Sequence, residues 1–349
     1  MHRKLTSFAA VLALSLVPLA ASAQDWATSI YSAGGVEIRA DERIFTLFAA
    51  LNELGHDEAP ITRQFPVPKR EFYPIRQQVR DAVGISPALR AKFEVFFDEH
   101  PLPMQSYVAY TLALGDAPTF KLEGAAPAGT ESLKGLETLL GEFYTAARIK
   151  EIFARVTNAQ REALKDFSPV VDKPINETRS VLKLEETEDS PLVVIIVNLL
   201  DGRGSAYGVT LGDETYLVVG PGSATGGAID PAPIARAFAR ASLQPLAAGK
   251  GRALRNGADL LREVRAGYGM TTDNLDDYIA ESFARVVAIK AAVPSEASSS
   301  AMDAEMRSGY LLARELNRGL AIFAKAPKPL DAFLADFLRE IDVTKLPRP

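Results

Sequence analysis

Leu192-Val193-Val194-Ile195-Ile196-Val197 is the stretch on which the fold turns. Its apolar, largely β-branched residues run without alternation, which marks a strand buried on both faces. Asp201-Gly202-Arg203-Gly204 reads as a turn. Ala206 to Thr210 and Glu214 to Val219 then form a hairpin around Gly212-Asp213. Earlier in the chain only Val36-Glu37-Ile38 offers a short strand. The rest carries helical spacing or chain breakers. The fold class is therefore α+β, mostly α: a small antiparallel or mixed sheet followed by helices and preceded by an N-terminal helical layer.

That layer opens at Asp41, which caps a helix with Ile44, Leu47, Phe48, Leu51 and Leu54 on one face. Gly55 ends it. A proline-rich loop holding Pro60, Pro66, Pro68 and Pro74 leads to a helix from Ile75 to Val83. Ser86-Pro87 is an N-cap with proline at the first helical position, opening a helix with Phe93, Phe96 and Phe97. Another helix is expected from Pro103 to Leu114. Residues 115–130 are rich in Gly, Pro and Ala and read as a loop. Ser132 to Val156 reads as one helix, and Asn158 to Phe167 as the next.

Beyond the hairpin comes Gly220-Pro221-Gly222-Ser223-Ala224-Thr225-Gly226-Gly227. It lacks the Lys-Ser/Thr of a phosphate-binding loop and the dinucleotide glycine spacing, so it is read as a surface loop. Asp230-Pro231 starts a helix. A second helix holds Leu254, Leu260, Leu261 and Val264 and is broken by Gly267 and Gly269. Thr272 or Asp273 caps a third, which ends near Ala292. Pro294 to Ser300 is a small-residue linker, followed by helices over Met302 to Ala324 and Leu330 to Ile341, then a loose tail from Leu346. The expected organisation is a signal peptide over 1–23, a mainly helical region over 24–187, a core of sheet plus helices over 188–294, and C-terminal helices over 295–349.

The chain has 349 residues, a formal charge of -5 and no cysteine. No disulfide and no thiolate metal site is open to it. His2-Arg3-Lys4, the apolar run Phe8 to Leu19 and Ala21-Ser22-Ala23 form a secretory signal, predicting export to the periplasm or the exterior. No later run is long enough for a membrane span. The acidic balance argues against a nucleic-acid partner. After cleavage only His56, in a Gly55–Glu58 loop, and His100, at a helix end, remain. Neither comes with a partner motif, and no Gly-x-Ser-x-Gly elbow is present. His100 reads as a favourable residue at a helix C-terminus.

The helix after Pro231 reads Ile234-Ala235-Arg236-Ala237-Phe238-Ala239-Arg240-Ala241-Ser242-Leu243-Gln244-Pro245-Leu246. With Val36 to Arg43, the strand Tyr216 to Pro221 and Tyr278-Ile279-Ala280-Glu281-Ser282-Phe283, it resembles secreted bacterial proteins related to glutamate-zincin metallopeptidases. There a His-Glu-x-x-His helix places two imidazoles on one face to hold zinc, and the Glu acts as general base. The resemblance gives Arg236 and Arg240 the histidine positions and Ala237 the glutamate position. It gives Glu281 the place of the third ligand. It implies an edge strand, the motif helix, and a second helix bringing Glu281 under the first.

Arginine has no lone pair to donate, and alanine moves no proton. The vestigial site is therefore Arg236, Ala237, Arg240 and Glu281, with no catalytic residue, metal or cofactor assigned. One of the arginines is expected to pair with Glu281, in a bidentate contact. The plainer alternative is an amphipathic helix with Ile234 and Phe238 inward, the arginines in water, and Glu281 paired with Arg285 at i+4. The leading functional reading is a pseudo-enzyme that binds a peptide or protein of acidic character beside an edge strand. Two others stay open: a hydrolase using other residues, and a structural envelope protein whose cleft is filled.

Overall fold

A computed structural model describes residues 29–55, 71–222, 228–272 and 274–348. The expected signal peptide, His56, the Pro60, Pro66 and Pro68 part of the proline-rich loop, and residues 223–227 of the glycine-rich loop lie outside the described residues. Helices outnumber strands thirteen to five among those described, and all the strands join one sheet. The class is α+β, mostly α.

The strands are β1 (Ser29–Tyr31), β2 (Glu37–Arg39), β3 (Leu192–Val197), β4 (Ala206–Leu211) and β5 (Glu214–Val219). Their order is β1-β2-β3-β5-β4. The three inner strands are parallel, and both edges run antiparallel to their neighbours. β3 is covered on both faces from Val194 onward, which is why its sequence does not alternate. The β4–β5 hairpin turns at Gly212-Asp213, where Gly212 takes a positive φ. The strand that leads to the motif helix, β5, is interior; the edge is β4. This corrects the expectation of an edge strand directly before that helix. It follows from the hairpin folding back between β4 and β3.

Among the described residues seven helices precede β3: α1 (Glu42–Leu54), α2 (Pro74–Ala82), α3 (Pro87–Glu99), α4 (Met104–Leu112), α5 (Leu136–Ala146), α6 (Ile149–Phe167) and α7 (Asp172–Leu182). Asp41 caps α1 by accepting from the Arg43 and Ile44 amides, and Gly55 closes it in the left-handed conformation. Ser86 caps α3 as expected. The long helix expected from Ser132 to Val156 is broken at Arg148, which has φ 50°. The cause is a phase flip. At about 100° per residue, Leu136, Leu140 and Phe143 lie on one side of the cylinder. Ile149, Ile152 and Val156 lie on the opposite side. All six are buried, which one straight helix cannot achieve.

Six helices follow the sheet: α8 (Ala232–Ala247), α9 (Gly257–Tyr268), α10 (Leu275–Ala292), α11 (Ser298–Arg307), α12 (Ala313–Phe323) and α13 (Leu330–Glu340). Several expected boundaries move. α9 runs through Gly267 and stops at the left-handed Gly269, and Leu254 precedes it. Asn274, rather than Thr272 or Asp273, caps α10. α11 begins inside the expected linker. The helix expected from Met302 to Ala324 is two, parted at Gly309 with φ 100°. A Cβ there would lie 2.8 Å from Tyr268 and Met270 side-chain atoms, so the break is also a packing requirement. The tail is tied rather than loose: Leu346 is buried and Arg348 grips Glu263 through Nε and Nη2.

The apolar interior forms two clusters that meet at α8. Ile234, Ala237 and Phe238 pack with the sheet and the earlier helices. Ala239, Leu243 and Ala247 pack with α9, α10, α12 and α13. α8 is thus walled on most sides, closest at Gly208 of β4. A Cβ on Gly208 would fall 1.7 Å from the Ala237 carbonyl oxygen. Only glycine allows that approach.

Candidate functional site

Arg236, Arg240 and Gln244 recur every fourth residue on α8 and so share one face. Asp277, Glu281 and Arg285 do the same on α10, the helix packed most extensively against it. The two rows interlock. Arg240 Nη2 donates to Asp277 Oδ1 at 3.1 Å, and its Nε lies 3.5 Å from Glu281 Oε2. Gln244 Nε2 donates to the same Asp277 oxygen at 2.7 Å. Arg285 Nε donates to Glu281 Oε1 at 2.7 Å, and its Nη1 to Glu305 Oε2 at 2.8 Å. The Arg285 guanidinium also stacks 3.9 Å over the Tyr310 ring. Arg236 stands apart: its Nη2 donates to the Gly204 carbonyl at 2.8 Å, at the start of the edge strand.

The expected meeting of a motif arginine with Glu281 is found at Arg240, through a single contact rather than a bidentate one. Glu281 divides its oxygens between Arg240 and Arg285, so the i+4 pair of the plainer alternative is present as well. Ile234 and Phe238 point inward as that alternative has it, but its placement of the arginines in water is overturned. Arg240 is only 4 % exposed, and Arg236 is partly buried. α8 is enclosed by the sheet, α7 and α10, so this face meets water only at its rim.

Burial alone would push the Glu281 carboxyl up, but the guanidiniums of Arg285, Arg236 and Arg240 reverse the effect and hold it below its usual range. Arg236 moves the other way: burial, then repulsion by Arg285, lowers it from the ordinary arginine value, against attraction from Glu281 and Glu305. Burial would lower Arg285 too, yet Glu305, Tyr310 and Glu281 raise it. The carboxylates are not sealed off. The side chains of Asp277, Glu281 and Glu305 keep 26 %, 22 % and 22 % of their surface.

These residues do not fit a zinc ion. Protonated guanidiniums occupy the positions that require lone pairs, and both Glu281 oxygens are engaged by cations. Ala237 is fully buried against the sheet, where a carboxylate would be surrounded by apolar groups. Asp277 and Glu305, absent from the sequence-based site, complete the network. Asp277 was visible in principle, since it lies four residues before Glu281. Glu305 carries no such signal, because only the tertiary fold brings α11 to Arg285. His100 ends α3, stacks on Phe96 with ring centres 4.3 Å apart, and places Nδ1 2.7 Å from the Phe96 carbonyl oxygen. It takes no part in this cluster.

Among the described residues no helix is long and apolar enough to cross a membrane. Comparison with family models, curated proteins and solved structures gives no match.

Proposed function

We propose that the chain is an exported, non-catalytic protein built on a metallopeptidase-like helix pair, in which protein cations stand where the metal charge would sit. The observation that carries this is the Arg240–Glu281 contact at 3.5 Å, with Arg285 on the other oxygen of the same carboxylate. A carboxylate held between two guanidiniums is stabilised as the anion, so it is a weak proton acceptor. The neighbouring Ala237 supplies no base. What remains is recognition: a charged floor on α8 beside the edge strand, suited to a peptide or protein of acidic character. Export rests on the basic start, apolar run and small-residue cleavage site of residues 2–23.

One observation favours a second reading, a structural envelope protein with a filled cleft. Gln105 Nε2 donates to the Gly208 carbonyl at 2.9 Å, taking up one acceptor of the β4 edge. A peptide laid along β4 would have to displace it.

The test of the first reading is metal analysis of protein purified without chelator, alongside peptide turnover with and without chelator. Less than a stoichiometric trace of zinc and no turnover are expected. One zinc per chain, removable by chelator, sinks the proposal. Turnover that survives chelation moves the assignment to a hydrolase using other residues.

A further inference from the structure

Arg236 has no carboxylate oxygen within 4.0 Å among the described residues. Its Nη2 donates to a neutral carbonyl, and its buried Nε has no hydrogen-bond partner. One turn along α8, Arg240 leaves its buried Nη1 without a partner and its Nε without a hydrogen bond. A guanidinium carries five N–H donors, and leaving them unmet away from water is costly. Elsewhere in the same cluster the donors are met: Arg285 reaches two carboxylates and an aromatic face. Among the three arginines of the cluster, the deficit is confined to the α8 pair.

Position adds to this. Residues four apart project from the same side of the helix. Arg236 is fastened to Gly204, two residues before the edge strand. The partly accessible Asp277, Glu281 and Glu305 show that solvent reaches the rim of the cluster. Those three acids also set the charge of the ligand. They balance Arg236, Arg240 and Arg285 one for one, so a multiply charged anion would meet strong repulsion from the rim. A monoanion with two acceptor oxygens meets least.

We propose that Arg236 and Arg240 form a binding site for one external carboxylate, supplied by the C-terminus of a peptide or by an acidic side chain. Arg236 is the anchor and Arg240 the second donor, already positioned by Asp277. The inference deepens the recognition reading above by naming the ligand group at the same site.

The test follows the Arg Nε–Hε resonances of the full chain during titration with three acetylated alanine tetrapeptides. One has a free C-terminus, one a C-terminal amide, and one an amide with a single glutamate replacing an alanine. Saturable shifts of the Arg236 and Arg240 signals are expected with at least one carboxylate-bearing peptide and not with the neutral amide. Which of the two acts identifies the source of the carboxylate. Arg236→Gln, with its fold checked by circular dichroism, is expected to weaken binding about tenfold, equal to about 1.4 kcal/mol. Absence of saturable shifts with either acid, equal shifts with the neutral peptide, or undiminished binding by the variant overturns the site. Zinc content is measured separately, so loss of this anchor leaves the non-catalytic reading standing, and uptake of zinc sinks that reading whatever the peptides do.

Discussion

Arg43 is half-buried and Arg240 buried, one beside each face of the sheet, and the less buried of the two is the better satisfied. Arg43 retains 12 % of its side-chain surface, against 4 % for Arg240. Yet its Nε and Nη2 grip the two oxygens of Asp41 at 3.1 and 2.7 Å. Its Nη1 reaches the carbonyls of Leu112 and Leu114, at 2.9 and 2.7 Å, where α4 ends. Arg240 has one hydrogen bond to a carboxylate and an idle Nη1. The first is a bracket that joins the start of α1 to the end of α4. The second is a cation held in place with donors to spare. Burial does not separate the two here; unmet hydrogen-bonding capacity does.

Replacing each arginine by methionine breaks the comparison most directly. Arg43→Met leaves the Asp41 carboxylate, whose side chain is fully buried, without its strongest partner. A cost of about 3–5 kcal/mol is expected in urea unfolding. Arg240→Met strands no such group. Asp277 keeps Gln244 and Glu281 keeps Arg285, and both reach solvent. About 1–2 kcal/mol is expected there. Equal losses for the two variants would remove the distinction between bracket and site.

Gly208→Ala comes next. The new Cβ meets the Ala237 carbonyl oxygen and also lies 2.8 Å from the Ala241 backbone nitrogen, so α8 must back away from the sheet. A loss of about 3 kcal/mol is expected. Gly84→Ala, in open space with no positive φ, is the control and is expected to change stability by less than about 0.5 kcal/mol. The Arg240 network is expected to loosen in the first variant, read as altered Arg Nε–Hε resonances, while Arg43 on the other side of the sheet keeps its signal. A loss below the control's would show that α8 does not depend on this close approach.

Much of this was legible in the chain. The β3 run, the hairpin and the caps at Asp41 and Ser86 are local signals, and each formed where its chemistry placed it. The pairing of Glu281 with a motif arginine was also foreseen, because four-residue spacing fixes one helical face. What escaped was tertiary. Glu305 enters through a contact spanning 20 residues to Arg285. The edge role of β4 follows from the order of strands, not from their composition. The break at Arg148 was readable in principle, since the apolar stripe changes sides between Phe143 and Ile149. It was hidden by the continuity of good helix formers across that point.

The smallest effect tests the network through pH. Glu281 has a folded-state pKa held below its usual range by Arg285, Arg236 and Arg240, against the upward push of burial. A depressed carboxylate contributes stability that is present above its unfolded pKa, about 4.3. That contribution is lost as pH falls through the lower folded value, because the unfolded chain takes up the proton first. Glu281→Gln cannot titrate. The wild type is therefore expected to exceed the variant by about 1 kcal/mol near neutrality, given the partial solvent access of the pair. The gap is expected to narrow below about pH 4.3, the reverse of what a buried, unpaired glutamate would do. Urea unfolding of both proteins from neutral to acid pH reads this directly. A gap independent of pH would mean that the three guanidiniums do not act on Glu281 as a charge. The contrast between a saturated bracket at Arg43 and an electrostatically live cluster on α8 would then lose its basis.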